Sequence, residues 1–186
     1  MLLKYSLVRN VKKPSRGHAT DAGLDFFVPG FTEKFIEDLK KKNDDRHTLS
    51  WSNDPYSDES YIVLYPNSNI CIPSGIKIEV PYGYMALFLN KSGVASKNEL
   101  LVGAQVIDTF YSGEIHIDMH NVSDEEFLIK PGMKIVQLVL IPVLSCEPIL
   151  VDEEQLYDWM KQDDYRNEGG FGSTNKNQKN KKKRRI

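Results

Sequence analysis

Residues 115–120 constrain this chain more than any other stretch: Ile115, Ile117 and Met119 alternate with His116, Asp118 and His120. A period of two puts each set on one face of an extended backbone, so the segment reads as a half-buried strand. A largely apolar run from Leu101 precedes it. Between the two lies Asp108 to Gly113, DTFYSG, whose acid, aromatic and glycine are turn chemistry. Residues 101–121 are therefore expected to form a β-hairpin with Asp108 at its mouth and Tyr111 three residues on. A carboxylate there is able to orient a water beside a stacked ring, although an aspartate before a turn is more often a turn former. His116, Asp118 and His120 share a face, as metal ligands would, but such a face is more often solvated or interfacial.

Other short runs repeat the extended signal. Residues 3–9, the segment around Asp25, Phe26 and Phe27, then YIVLY, NICI, GIKIEV, YGYMALFL and PGMKIVQLVLIPV all read as strands, with Pro66, Pro73 and Pro81 between them. Gly23 allows a close approach beside the second of these. Two helices are expected. Phe31, Phe35 and Leu39 recur at helical spacing among charges, and Asp152 with Gln155 has capping-box spacing ahead of Leu156, Trp159 and Met160, suggesting a helix over 152–164. Residues 40–60 are polar and read as a long surface loop. Many short strands, frequent prolines and few helices predict an all-β barrel or jelly roll, and 186 residues suit one domain with a real core.

Charge is unevenly spread. The formal net charge is −2, yet the tail from Lys176 holds seven basic residues and no acid, leaving −9 on the remainder. An acidic body argues against nonspecific nucleic-acid binding by the core. The basic run at 176–186 reads either as a nuclear address or polyanion tether, or as a solvated disordered end. Two cysteines, Cys71 and Cys146, offer no disulfide framework. With no apolar run of membrane-spanning length and no secretory pattern at the start, a soluble protein of the cytoplasm or nucleus is expected.

Three segments carry phosphate chemistry. In NKSGVASK, Lys91 supplies charge while Ser92 and the backbone beside Gly93 offer donors, although a lone KSG is a common loop. Gln137 is the one polar residue in its apolar strand, and a buried amide must bond either to backbone or to a ligand. YRNEGGFGSTN combines Arg166, glycines, two hydroxyls and the aromatic Phe171, which suits a phosphate cradle or merely a flexible linker.

In order, ATDAGLDFF, NKSGVASK, VGAQVIDTFYSGE, PGMKIVQL and RNEGGFGST resemble the five motifs of the trimeric dUTPases, over residues 19–174. The resemblance implies a β-clip jelly roll assembled as a homotrimer, with active sites shared between subunits. It implies hydrolysis of dUTP to dUMP and pyrophosphate with Mg²⁺, which limits uracil in DNA and supplies dUMP for dTMP synthesis. By resemblance Asp108 activates the attacking water, Tyr111 packs on the deoxyribose, and Gly103, Gln105, Val106 and Ile107 read the uracil. Asp25 would hold waters of the magnesium. Lys91, Ser92, Gly93, Gln137, Arg166, Ser173 and Thr174 would take phosphates, Phe171 would cover the base, and Gly172 beside it would also contact substrate. Residues 1–164 would form the β domain with an unusual insert at about 31–60, residues 165–175 a flexible closing arm, and 176–186 a disordered tail. Lys91 and Lys134 stand where the family usually has arginine, Gln105 where it has glycine, and Asn167 and Asn175 where the last motif has glycines. A dCTP deaminase-like enzyme and a non-catalytic dUTP-binding regulatory trimer are the alternative readings.

Overall fold

In the computed structural model, which describes residues 2–43, 59–157 and 159, β11 (Lys134–Pro142) is an inner strand of a four-stranded sheet. It is paired on both edges, with β2 (Leu24–Phe27) on one side and β6 (Tyr84–Asn90) on the other, and β6 in turn pairs with the two-residue β8 (Val106–Ile107). A second sheet joins β4 (Ser68–Pro73), β9 (His116–Asn121) and β7 (Leu100–Val102) in that order. Two-stranded ribbons of β1 (Lys4–Leu7) with β5 (Ile76–Glu79), and of β3 (Ile62–Leu64) with β10 (Phe127–Ile129), complete the described set. Every one of these pairings is antiparallel.

The period-two reading of residues 115–120 holds. Ile117, Met119 and Asn121 are buried along β9, while His116, Asp118 and His120 are half-exposed. The core collects the buried positions of both sheets, with Phe26 and Phe88 edge to face at 5.1 Å and Ile70, Ile72, Ile117 and Met119 beside them. Each such side chain contributes about 1.5–3 kcal/mol through removal from water.

The expected hairpin is corrected by the structure. Leu100–Val102 do pair with Met119–Asn121, but Val106–Ile107 leave that sheet and pair with Ala86 and Leu87 instead. The arms flanking DTFYSG thus belong to different sheets. Two helical assignments are also corrected. Residues 92–98 form a short helix, α2, rather than a loop. Of the helix expected over 152–164, the described residues show only a 3-10 turn at Glu153–Gln155, closed by the Asp152 and Gln155 capping box; residues 158 and 160–164 lie outside the described set.

The first helix is where the sequence puts it. Helix α1 (Glu33–Lys42) starts at Thr32, whose hydroxyl accepts the Phe35 N–H at 3.2 Å, and it buries Phe35, Ile36 and Leu39. Phe31, just ahead of it, stacks on Phe35 at 5.1 Å. The polar stretch that follows is not all surface loop: residues 40–42 are helical and Asn43 is buried. The Asn43 amide donates to the Leu39 and Cys71 carbonyls at 2.7 and 3.0 Å and accepts the Cys71 N–H at 2.7 Å, tying the helix to the edge of β4. The described residues up to 145 form one compact unit and those from 146 another. No helix among the described residues is long and apolar enough to cross a membrane.

Asn43→Ala strips partners from both Cys71 backbone groups, and leaving such groups unpaired costs about 1–3 kcal/mol. Denaturant unfolding of the variant is expected to show a lower midpoint at unchanged slope. An unchanged midpoint would mean that the amide does not anchor the helix.

Candidate active site

The site residues fall into two groups, each set by strand register. In the first, Gln137 on β11 lies opposite Asp25 on β2 and Leu89 on β6. Its side-chain amide donates to the Asn90 carbonyl at 2.9 Å, the backbone option foreseen for a polar residue in this strand. Gly23 is required by the same side chain, since a Cβ there would stand 2.2 Å from Gln137 Oε1. Asp25 is buried, with Lys91 bound to Oδ1 and Lys134 Nζ 3.1 Å from Oδ2. Burial pushes the Asp25 carboxyl up, but the hydrogen bonds and charges of the two lysines outweigh it and hold the group below the ordinary carboxylate range. Lys91 is also the residue ahead of α2, whose first turn carries Ser92 and Gly93 at the surface. A Cβ on Gly93 would meet nothing within 4 Å, so packing does not account for this glycine.

The second group occupies the gap opened where β8 and β9 part. A cavity of about 380 Å³ there is lined by Val106, Ile107, Asp108 and Tyr111 on one side and by Ile115, His116 and Asp118 on the other. Its volume is in the range of small-molecule sites. The turn between the arms is tightly wound. Phe110 adopts φ +70°, a conformation that bulky residues seldom take, and the Tyr111 N–H donates to the Asp108 carbonyl at 3.3 Å. The Tyr111 hydroxyl donates to the Glu114 carbonyl at 2.9 Å and lies over Gly113, where a Cβ would be 2.6 Å from it. Gly103 and Gln105, expected to face a base, do not line this cavity. Gly103 sits under Asp118 and His120, with room for no Cβ, and Gln105 turns its amide onto the Val102 carbonyl at 3.1 Å.

Among the residues of the cavity wall not expected there are Lys42 from α1, Cys71 from β4, and His116 and Asp118 from β9. The shared face of β9 was a signal for the last two, whereas nothing in the sequence marked Lys42 or Cys71. Among the described residues no three carboxylate, imidazole or thiolate groups are placed to hold a metal ion directly. Asp118 instead accepts from the Ala104 N–H, Asn69 and His120 at 3.1–3.2 Å. The two groups of site residues are also distinct within one chain, for none of Asp25, Lys91, Ser92, Gly93 and Gln137 lines the cavity that holds Asp108 and Tyr111. Arg166, Phe171, Gly172, Ser173 and Thr174, with the basic tail, lie outside the described residues.

The all-β fold thus carries a lysine-flanked carboxylate and, apart from it, a cavity lined by a carboxylate and a tyrosine. The family model for dUTPase matches residues 54–175, and the chain belongs to the dUTPase family. Deoxyuridine 5'-triphosphate nucleotidohydrolases of Hydrogenobaculum sp. and Chlamydia pneumoniae are 37% and 38% identical to it over 118 residues, 62% of this chain and 77% of each relative. Among solved structures, a mutant dUTPase of Staphylococcus bacteriophage 80alpha with dUpNHpp aligns with a TM-score of 0.65 at 25% identity, covering 93% of this chain and 98% of that one. A mutant dUTPase from phage phi11 of S. aureus, described with a structural Mg(II) ion, aligns at a TM-score of 0.61 and 24% identity over 82% and 98% of the two chains. The fold is accordingly the all-β jelly roll expected from the sequence.

Burial and, next, the nearby charge of Lys42 lower the His116 pKa below its ordinary value. An imidazole that resists protonation in the fold is protonated first in the unfolded chain, so stability is full above the unfolded pKa of about 6.5 and is lost as pH falls through the lower folded value. Thermal unfolding between about pH 7 and pH 5 is expected to fall less steeply for His116→Gln than for the parent. Parallel profiles would exclude this contribution.

Proposed function

We propose that the protein hydrolyses dUTP to dUMP and pyrophosphate, working as a homotrimer whose active sites combine residues of different subunits. One observation carries the reading: the gap between β8 and β9 gathers Val106, Ile107, Asp108 and Tyr111 around a cavity able to take a nucleoside. Backbone groups of Val106 and Ile107 face the uracil edge. The Tyr111 ring packs against the deoxyribose and leaves no space for a 2′-hydroxyl. The Asp108 carboxylate orients a water and takes its proton as the oxygen bonds to the α-phosphorus; the bond from that phosphorus to the bridging oxygen breaks, and pyrophosphate leaves.

The phosphates belong to the first group of residues. Lys91 and Lys134 supply positive charge, Ser92 and the open backbone at Gly93 supply donors, and Gln137 borders them. The donor set suits magnesium carried mainly by phosphate oxygens and water, because Asp25 offers a single carboxylate and the described residues offer no direct cage. When bound, the ion neutralises charge gathering on the leaving pyrophosphate. Asp25 would then hold its waters, exchanging a lysine contact for them, while the released lysine turns to phosphate. Residues 165–175 close over the substrate, Phe171 on the base with Gly172 beside it and Arg166, Ser173 and Thr174 on phosphates, which excludes water from the reacting centre. The separation of the two residue groups within one chain supports a site completed by another copy. The cytoplasm or nucleus is the place we assign it, with residues 176–186 as the nuclear address.

Incubation with dUTP, dCTP or UTP and magnesium separates the readings. The proposal expects pyrophosphate from dUTP and no ammonia from dCTP; ammonia would indicate a deaminase, and binding of dUTP without product a regulatory trimer. Asp108→Asn is expected to lower kcat by about 10² to 10⁴ while calorimetry shows dUTP still bound. Loss of binding together with turnover would make Asp108 structural.

The shared site has its own test. Asp108→Asn chains and chains ending at Tyr165 are each expected to form nearly inactive trimers, the first without a base and the second without the closing arm. Unfolded, mixed and refolded together, they should regain activity, since a site in a mixed trimer can draw Asp108 from one chain and the arm from another. Mixed trimers verified by native mass spectrometry that stay inactive would exclude the cross-subunit site.

A further inference from the structure

Helix α1 and the residue Arg9 are joined to the turn that carries Tyr111 by a charged cluster that the proposed chemistry does not use. Arg9, two residues beyond β1, presents its guanidinium edge to the Glu114 carboxylate, with Nε 2.7 Å from Oε1 and Nη2 2.8 Å from Oε2. The same Nη2 donates to Asp38 Oδ2 of α1 at 2.6 Å, and Lys34, one turn back on the helix, holds the other oxygen of Asp38 at 2.7 Å. Glu114 Oε1 also accepts the Gly75 N–H at 2.7 Å. Three N–H donors therefore fix one carboxylate. The side chains of Arg9 and Glu114 are each only 14% exposed, so this is a largely desolvated pair.

A pair of this kind contributes little net stability, because desolvation offsets much of the attraction. Its geometry is another matter. A planar guanidinium binding both carboxylate oxygens admits one relative orientation, which an ammonium does not impose. The residue so fixed is the one whose carbonyl takes the Tyr111 hydroxyl at 2.9 Å. On either side of Glu114 there is little freedom left, with Gly113 against the Tyr111 ring and the Ile115 N–H on the Ile76 carbonyl at 2.9 Å. The family match covers Glu114 and Tyr111 but starts at residue 54, so Arg9 and Asp38 act on the motif from outside the matched region.

We propose that Arg9, held by Asp38 of helix α1, is a positioning residue that sets the sugar selectivity of the site by fixing Glu114 and, through its carbonyl, the Tyr111 ring. The inference rests on Tyr111 being the ring that faces the sugar in the proposed site. A ring anchored at its hydroxyl end presents a fixed wall, and one released from Glu114 tilts and admits a 2′-hydroxyl. The insert helix is then part of the specificity machinery although it carries none of the five motifs.

The test compares kcat/KM for dUTP and UTP in the full-length protein with magnesium. Arg9→Met is expected to lower the dUTP to UTP ratio by about 3- to 30-fold, since small displacements of a positioning group carry large kinetic effects. Tyr111→Phe, which keeps the ring and removes only the anchor, should do the same. The double variant should be no worse than either single one, the signature of residues acting through one contact. Asp38→Asn, at the more exposed end of the cluster, should give a smaller loss, and Arg9→Lys should recover only part of the ratio. If Arg9→Met does not fold, Arg9→Lys and Tyr111→Phe carry the comparison. Should these variants keep the parental ratio while Tyr111→Ala lowers it, Arg9 is merely structural and the inference is overturned with the sugar reading intact. Should Tyr111→Ala also leave the ratio unchanged, the sugar reading falls and takes the inference with it. Losses that add independently in the double variant overturn it as well.

Discussion

Two residue pairs, Ala86 with Ile107 and Leu87 with Val106, decide the form of the site. Had residues 106–107 continued in register with β9, the segment would close into an ordinary hairpin and the space beside Asp108 would be filled by cross-strand neighbours. By leaving for the other sheet they pull one arm away while each arm keeps strand partners of its own. The Phe88 N–H bonded to the Gln105 carbonyl at 2.9 Å, and the Thr109 hydroxyl bonded to the Tyr84 carbonyl at 2.7 Å, extend that attachment along β6. The cavity is thus held open by the sheets themselves.

Asp25 has the opposite problem. A carboxylate with side-chain exposure of 8% needs compensation, and it has two cations. One negative and two positive groups leave the cluster with an excess of positive charge, suited to a polyphosphate. Lysines stand here in place of the arginines usual in the family, and an ammonium binds its partners as a point charge, whereas a bidentate guanidinium is committed to a geometry. Asn90 links this cluster to the other group: its carbonyl accepts from Gln137, and its side-chain oxygen accepts the Val102 N–H at 2.7 Å, just before the chain turns toward the cavity.

Sequence patterns revealed what local physics decides. The alternation in β9, the helical spacing of Phe35 and Leu39, and the apolar run of β11 with Gln137 as its polar exception all appear in the structure at those residues. Where tertiary pairing decides, the sequence was silent. Val106–Ile107 is too short to carry a period, and its partner strand is chosen by the fold. Residues 92–98 bury no side chain, so no apolar stripe marked α2 as helical, and serine, glycine and asparagine there read as loop. The cavity wall from Lys42 and Cys71 depends on α1 docking against β4, a contact between segments about thirty residues apart that no local signal encodes. Asp108 and Tyr111 were singled out by the order of the five motifs and not by the turn itself, where an aspartate is ordinary. Arg9 was not, being one cation among many until Glu114 is seen against it.

The Asn43 amide has a consequence beyond anchoring a helix. Strand β4 lies at the border of its sheet, with β9 on one side only. Its outward backbone groups at Cys71 are those on which another chain's strand would add, the first step of edge-to-edge aggregation. Asn43 occupies both the N–H and the C=O there, imitating one residue of a missing strand without continuing the ladder. The segment that brings Lys42 to the cavity wall therefore also stops the sheet from growing, and shortening it would expose a sticky border as well as alter the cavity.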